Sequence, residues 1–174
     1  MTRDAKIPDE SDWAGCDADP DVGYLRELFF GKSNAEVQEY FGDRCSIQRM
    51  EQLLSAPRAI FQYYVHAFAA FVMSEHAAGD AHSASPFLKL LEAREERDPG
   101  SVKAIYQSLV ECVEFVASHQ AHFAAHAAIH GDFKERAKRF TRFVARSSST
   151  PSSLIQASSP FKREVRRGNG VHEP

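Results

Sequence analysis

Half of the chain's 8 histidines fall between His119 and His130, in the alanine-rich run HQAHFAAHAAIHG. Neutral imidazole is the commonest metal ligand, and it also holds haem iron. At i, i+4 on a helix, His122 with His126 or His126 with His130 can grip one ion. On a continuous helix, His119, His122, His126 and His130 form a ridge about 16 Å long, at about 1.5 Å per residue. That is too long for all four to surround one transition metal. Closing a site needs another ligand, such as His66, His76 or a carboxylate. The Glu-x-x-His pairs of di-iron bundles are absent, as is His-Glu-x-x-His. The plainer reading is a ridge on the boundary between core and solvent, since histidine has an apolar body and a polar tip. Either way, acidification towards about pH 5–6 sets like charges at i, i+4 and predicts a weaker helix.

A second chemistry is electrostatic. Lys134, Arg136, Lys138, Arg139, Arg142 and Arg146 crowd one segment, and Lys162, Arg163, Arg166 and Arg167 follow it. Residues 134–167 carry ten positive and two negative charges. Lys134, Lys138, Arg139, Arg142 and Arg146 are thus candidate contacts to nucleic-acid phosphates or to an acidic partner. The plainer reading is a solvated helix face. Residues 1–21 hold seven acids against Arg3 and Lys6, and this arm is a possible intramolecular cover for the basic segment.

Other patterns are weaker. Asp17, Asp19 and Asp21 have the spacing of the first calcium ligands in an EF-hand loop, but Gly23 comes one residue late and no helix precedes them. The passage SNAEVQEYFGDRCSIQRMEQLL has the outline of a helix-turn-helix, with Arg44, Gln48, Arg49 and Gln52 available to read a groove. Short catalytic signatures are missing: Gly31-Lys32-Ser33 lacks the upstream glycine of a phosphate-binding loop, with Arg26 in its place, and there is no Gly-x-Ser-x-Gly. Cys16, Cys45 and Cys112 form no Cys-x-x-Cys. Cys112 falls on an apolar stripe, as a small core residue does.

The elements that must position these residues are helices. Leu25, Leu28 and Phe29 mark a first helix, with Asp21 as its cap. Ser33 and Glu36 fit a capping box for the next, and Asp43 can cap a third through Ile47, Met50, Leu53 and Leu54. Ser55 and Pro57 introduce a fourth, to about Ala78, whose Ile60, Phe61, Tyr64, Val65, Phe68, Phe71 and Val72 cover more than half its circumference. A helix apolar nearly all round is a buried one. Ser85 and Pro86 start a fifth, fraying into EAREERD. Ser101 caps a sixth, ending at Gly131, with Ile105, Leu109, Cys112, Val116, Phe123 and Ala127 inward. Phe133, Ala137, Phe140 and Val144 line a last helix.

The sequence therefore predicts one compact all-α domain of six to seven helices, residues 22–146, around a buried helix at about 56–78. It is flanked by an irregular acidic arm, 1–21, and a disordered Ser/Pro-rich basic tail, 147–174. A net charge of −3 argues against a generally basic nucleic-acid binder. The start of the chain lacks an apolar signal-like run, and the most apolar stretch, 59–73, falls short of the roughly 20 residues of a membrane span. A cytoplasmic, non-enzymatic interaction or adaptor module is the leading expectation, with a protein partner or self-association and no membrane contact. A metal- or haem-binding protein and a nucleic-acid-associated one are the alternatives.

Overall fold

The computed structural model describes residues 6–42 and 44–146. It is all-α, with no strand among the described residues. The expected cap Asp43 and the expected basic tail at 147–174 lie outside them.

Helix α1, Pro20–Phe29, is capped by Asp19 rather than Asp21: its carboxylate accepts from the Asp21 and Val22 amides, with Pro20 in the first turn, where no amide is needed. Helix α2, Asn34–Val37, has the expected Ser33/Glu36 capping box and runs into a 3-10 turn, Gln38–Phe41. Helix α3 is Ser46–Ser55 and α4 is Arg58–Val72, separated by an extended Ala56 ahead of Pro57. Helix α5 is Ala81–Arg97, α6 is Tyr106–Ser118, α7 is the single turn Ala127–His130, and α8 is Phe133–Arg146.

Helix α4 is the central element. Ten of its 15 residues are buried, around all but a lane through Arg58, Ala59, Gln62, His66 and Ala70. It packs against α2, α3, α5 and α6. Phe68 stacks on Phe41 at 4.6 Å and meets Phe87 edge-on at 5.5 Å. Tyr64 lies 4.9 Å from the Phe29 ring, and its hydroxyl donates to the Phe29 and Lys32 carbonyls at 2.7 and 3.0 Å. That closes the end of α1 against the core. The helix stops at Val72 rather than Ala78, because the Ser74 hydroxyl takes the Phe71 carbonyl and the chain turns through a 3-10 segment, Glu75–Ala77.

Helix α5 departs from expectation at both ends. It starts four residues earlier than Ser85, capped by Asp80, and carries Pro86 inside its second turn. Its charged end does not fray. Arg94 and Glu95 are buried side by side and brace two connectors. Arg94 donates to the Leu54 and Ala56 carbonyls at 2.8 and 2.7 Å and lies over the Phe61 ring. The Glu95 carboxylate accepts the amides of Gly100, Val102 and Lys103 at 2.7, 2.8 and 3.1 Å. Glu95 thus does what Ser101 was expected to do; the Ser101 hydroxyl is buried and has no hydrogen-bond partner among the described residues. The acidic arm, described from Lys6, is not wholly irregular, since Cys16–Ala18 is a 3-10 turn and Pro20 opens α1, and it is docked: Trp13 and Cys16 are buried, and Trp13 lies 6.1 Å from Tyr64.

Candidate functional site

The continuous helical ridge of histidines does not form. Helix α6 ends at Ser118, a 3-10 turn covers Gln120–Phe123, and Ala124 takes a left-handed conformation at φ 51°. Phe123 is fully buried, as expected, while Ala127, expected inward, is exposed beyond the break. The histidines follow separate courses. His119 stacks on Phe115 at 4.5 Å, with Nδ1 2.9 Å from the Phe115 carbonyl. His122 meets Phe115 and Phe123 edge-on. The His126 amide donates to His130 Nδ1 at 3.1 Å, and the His130 ring lies 6.3 Å from His82. His66 belongs to α4, with Nε2 3.5 Å from the Ser108 hydroxyl; burial holds its imidazole below the ordinary pKa. Among the described residues, no three His, Cys, Asp or Glu side chains gather to hold a metal ion. The predicted acid-driven repulsion along a straight ridge loses its basis with the ridge.

The segment works instead as a strap. The Gly79 amide donates to the His122 carbonyl at 2.8 Å. Gln120 donates to the Gly131 carbonyl at 2.9 Å and accepts the Phe133 amide at 3.0 Å, fixing where α8 begins. Asp132 accepts the Glu135 amide in the first turn.

Helix α8 carries the most distinctive charged surface. Phe133, Ala137, Phe140 and Val144 are buried as expected, so its cations point outward. Its two flanks differ. Towards α5, Glu92 takes both Arg136 at 3.0 Å and Arg139 at 3.3 Å, and Glu96 lies in the same groove of about 370 Å³. Towards α6, Lys134, Lys138 and Arg142 form one lane at i, i+4 and i+8, about 12 Å long. Among the described residues, only Lys138 in this lane has an ion pair, with Glu135 at 3.1 Å in an exposed setting that contributes little. Arg146 is exposed beyond the lane.

Beside that lane lies a groove of about 680 Å³ between α6 and α8. Val113, Ala117 and Ala137 line it, with Glu114 and Ser118 on the α6 side. The two helices run antiparallel and are tied at both ends. At one end Tyr106 and Thr141 share a hydrogen bond of 2.7 Å and the Tyr106 ring meets Phe140 at 5.8 Å; at the other stands Gln120.

The remaining candidates resolve as structure. In α3, Arg49 and Gln52 are buried and hydrogen-bonded to each other, with Arg49 over the Tyr24 ring. Two of the four side chains expected to read DNA therefore face inward. Asp19 is spent on the α1 cap and Asp17 lies 3.8 Å from Arg26, so no calcium loop forms around them. Burial pushes the Cys16 and Cys112 thiols above the ordinary range, the opposite of what a nucleophile needs. The acidic arm pairs with itself and with α1, through Lys6–Asp9 and Arg26–Glu10, so these acids are not spent on α8. No helix among the described residues is long and apolar enough to cross a membrane.

No protein-family model matches the chain, and no significant similarity to a curated protein or to a solved structure was found.

Two features of the site were not visible in sequence. The groove depends on the α6–α8 crossing, and the asymmetry of α8's flanks depends on Glu92, which lies more than 40 residues away along the chain.

Proposed function

We propose that this protein is a non-enzymatic interaction module that docks a protein partner on the exposed basic face of α8. The observation that supports this reading is the lane Lys134–Lys138–Arg142, held outward by a buried apolar face and flanking an apolar groove. Surface cations beside accessible apolar area are the pairing found at docking faces, where charge steers encounter and apolar area retains the partner. The nucleic-acid alternative draws on the same charges. It is the weaker reading, because Arg136 and Arg139 are committed to Glu92 and α3 turns Arg49 and Gln52 inward.

Nuclease-treated extract should test the reading. Proteins captured on the full chain and lost on a Lys134→Glu/Arg142→Glu variant are identified, purified and rebound. A purified protein that binds the wild type and is weakened about tenfold or more by the variant supports the reading. Capture that vanishes with nuclease, or that is indifferent to the variant, overturns it.

A further inference from the structure

We propose that the α6–α8 groove receives an acidic amphipathic helix of the partner, its apolar stripe on Val113, Ala117 and Ala137 and its carboxylates against Lys134, Lys138 and Arg142. The inference rests on the reading of α8 as the docking face and specifies what docks there.

The shape of the groove selects a helix. Its floor is built from small side chains, Ala117 and Ala137, with buried Val113 beneath. Small residues at the bottom of a valley between two helices leave a channel into which the side-chain ridge of a third helix can lie. A volume of about 680 Å³ accommodates a few large aliphatic side chains. The lane of about 12 Å corresponds to a little over two helical turns, so a partner helix matches it with apolar residues at i, i+3, i+4 and i+7.

Charge selects the sign and the setting of that helix. The α8 lip is cationic at every turn, and the opposite lip presents Glu114 with Ser118. Carboxylates on the partner therefore lower the energy only along the α8 side and are repelled from the α6 side. This asymmetry leaves one favoured rotation about the partner's axis. A phosphate backbone would meet the same lysines but gain nothing from the apolar floor, and it would be opposed by Glu114. The groove is also preformed, because Tyr106–Thr141 closes one end and Gln120 the other. Pre-organisation removes part of the ordering cost that a short peptide contact otherwise bears.

The test uses the full chain and labelled synthetic helices of about 18 residues, long enough to populate helix in water. One carries a Leu stripe flanked by Glu on one side; a second has the same composition scrambled; a third has Lys for Glu. A labelled DNA duplex of similar length is the fourth probe. Anisotropy is read at about 50 and 200 mM salt. The striped acidic helix should bind with a Kd of about 10–100 µM, at least about tenfold tighter than the other three probes. Lys134→Glu/Arg142→Glu should weaken it about tenfold or more, Ala117→Phe should weaken it about fivefold by filling the floor, and Lys89→Glu on the other flank should leave it unchanged. Circular dichroism verifies that each variant folds; should Ala117→Phe not fold, Ser118→Trp blocks the same groove from an exposed position. Equal binding of the scrambled peptide, or indifference to groove filling, overturns the groove inference while charge-reversal sensitivity leaves the α8 reading standing. Preference for DNA overturns both; no binding of any acidic helix overturns the groove inference alone, since the α8 reading stands or falls on partner capture.

Discussion

The Glu95 carboxylate is the most consequential polar group in the fold, and Glu95→Ala measures how much of the domain depends on it. The side chain is fully buried and accepts three backbone amides, from Gly100, Val102 and Lys103. Truncation to alanine strands all three. The Val102 amide has no access to water and loses a charge-assisted bond outright, at about 1–3 kcal/mol. Gly100 and Lys103 are half-buried, so water recovers part of their loss, leaving about 1 kcal/mol each. The methylenes removed with the carboxylate add a cavity cost of similar size. With about 1 kcal/mol for that cavity the total is about 4–6 kcal/mol, a large share of the roughly 5–15 kcal/mol that holds an ordinary domain together. Glu95→Gln keeps one acceptor oxygen but turns an amide donor towards the backbone amides, so it should lose about half as much. In urea, with a slope of about 2 kcal/mol per molar, the alanine midpoint should fall by about 2–3 M with the slope unchanged. Glu96→Ala, one residue on and exposed, is the control and should cost less than about 0.5 kcal/mol. A Glu95→Ala loss within about 1 kcal/mol of the Glu96→Ala loss would refute the assignment of Glu95 as the tie between α5 and α6.

Arg94→Met keeps the bulk over Phe61 but removes the donors to the Leu54 and Ala56 carbonyls; thermal melts should show a loss of about 2–4 kcal/mol, and a loss under about 1 would mean those carbonyls are satisfied otherwise. Burial holds the His66 imidazole below its ordinary pKa, so the unfolded chain takes up a proton that the folded chain resists. Stability should then be full above about pH 6.5 and fall as pH drops below it, and His66→Gln should lose less between pH 7.5 and 5.0 than the wild type; equal losses would exclude His66 as a contributor. Trp13→Ala should release the acidic arm from Tyr64 and cost about 3 kcal/mol, with faster proteolysis ahead of α1; an unchanged cleavage pattern would show that the arm is held by other contacts.

The sequence was most legible where one period governed a whole segment. The inward faces of α4 and α8 follow from apolar spacing alone, and Ser33 with Glu36 marks a helix start through bonds confined to four residues. It was least legible where a distant partner decides the local outcome. EAREERD reads as a solvated end, yet Arg94 and Glu95 turn inward because carbonyls at Leu54 and Ala56 and amides at Gly100 and Val102 need them. In α3, Arg49 and Gln52 occupy buried positions while Ile47, expected inward, is 43% exposed. Arg49 covers Tyr24 and bonds Gln52, so the pairing across α1 and α3 overrides the polarity of the residue types.

The histidine-rich run shows how this bears on function. Its residue types suggested ligands, and its alanines suggested a straight helix. A straight helix would carry Phe123 and the residues after it along one line and leave α8 to start elsewhere. That line breaks after the 3-10 turn that holds buried Phe123, and a left-handed Ala124 is the local cost. The break turns the chain, Gln120 fixes the turn by holding both Gly131 and Phe133, and α8 is thereby laid antiparallel to α6. The groove and its cationic lip exist only because of that reversal. The run therefore acts on the proposed site through placement of α8, and weakening the Gln120 bracket should loosen the groove without touching any residue that lines it.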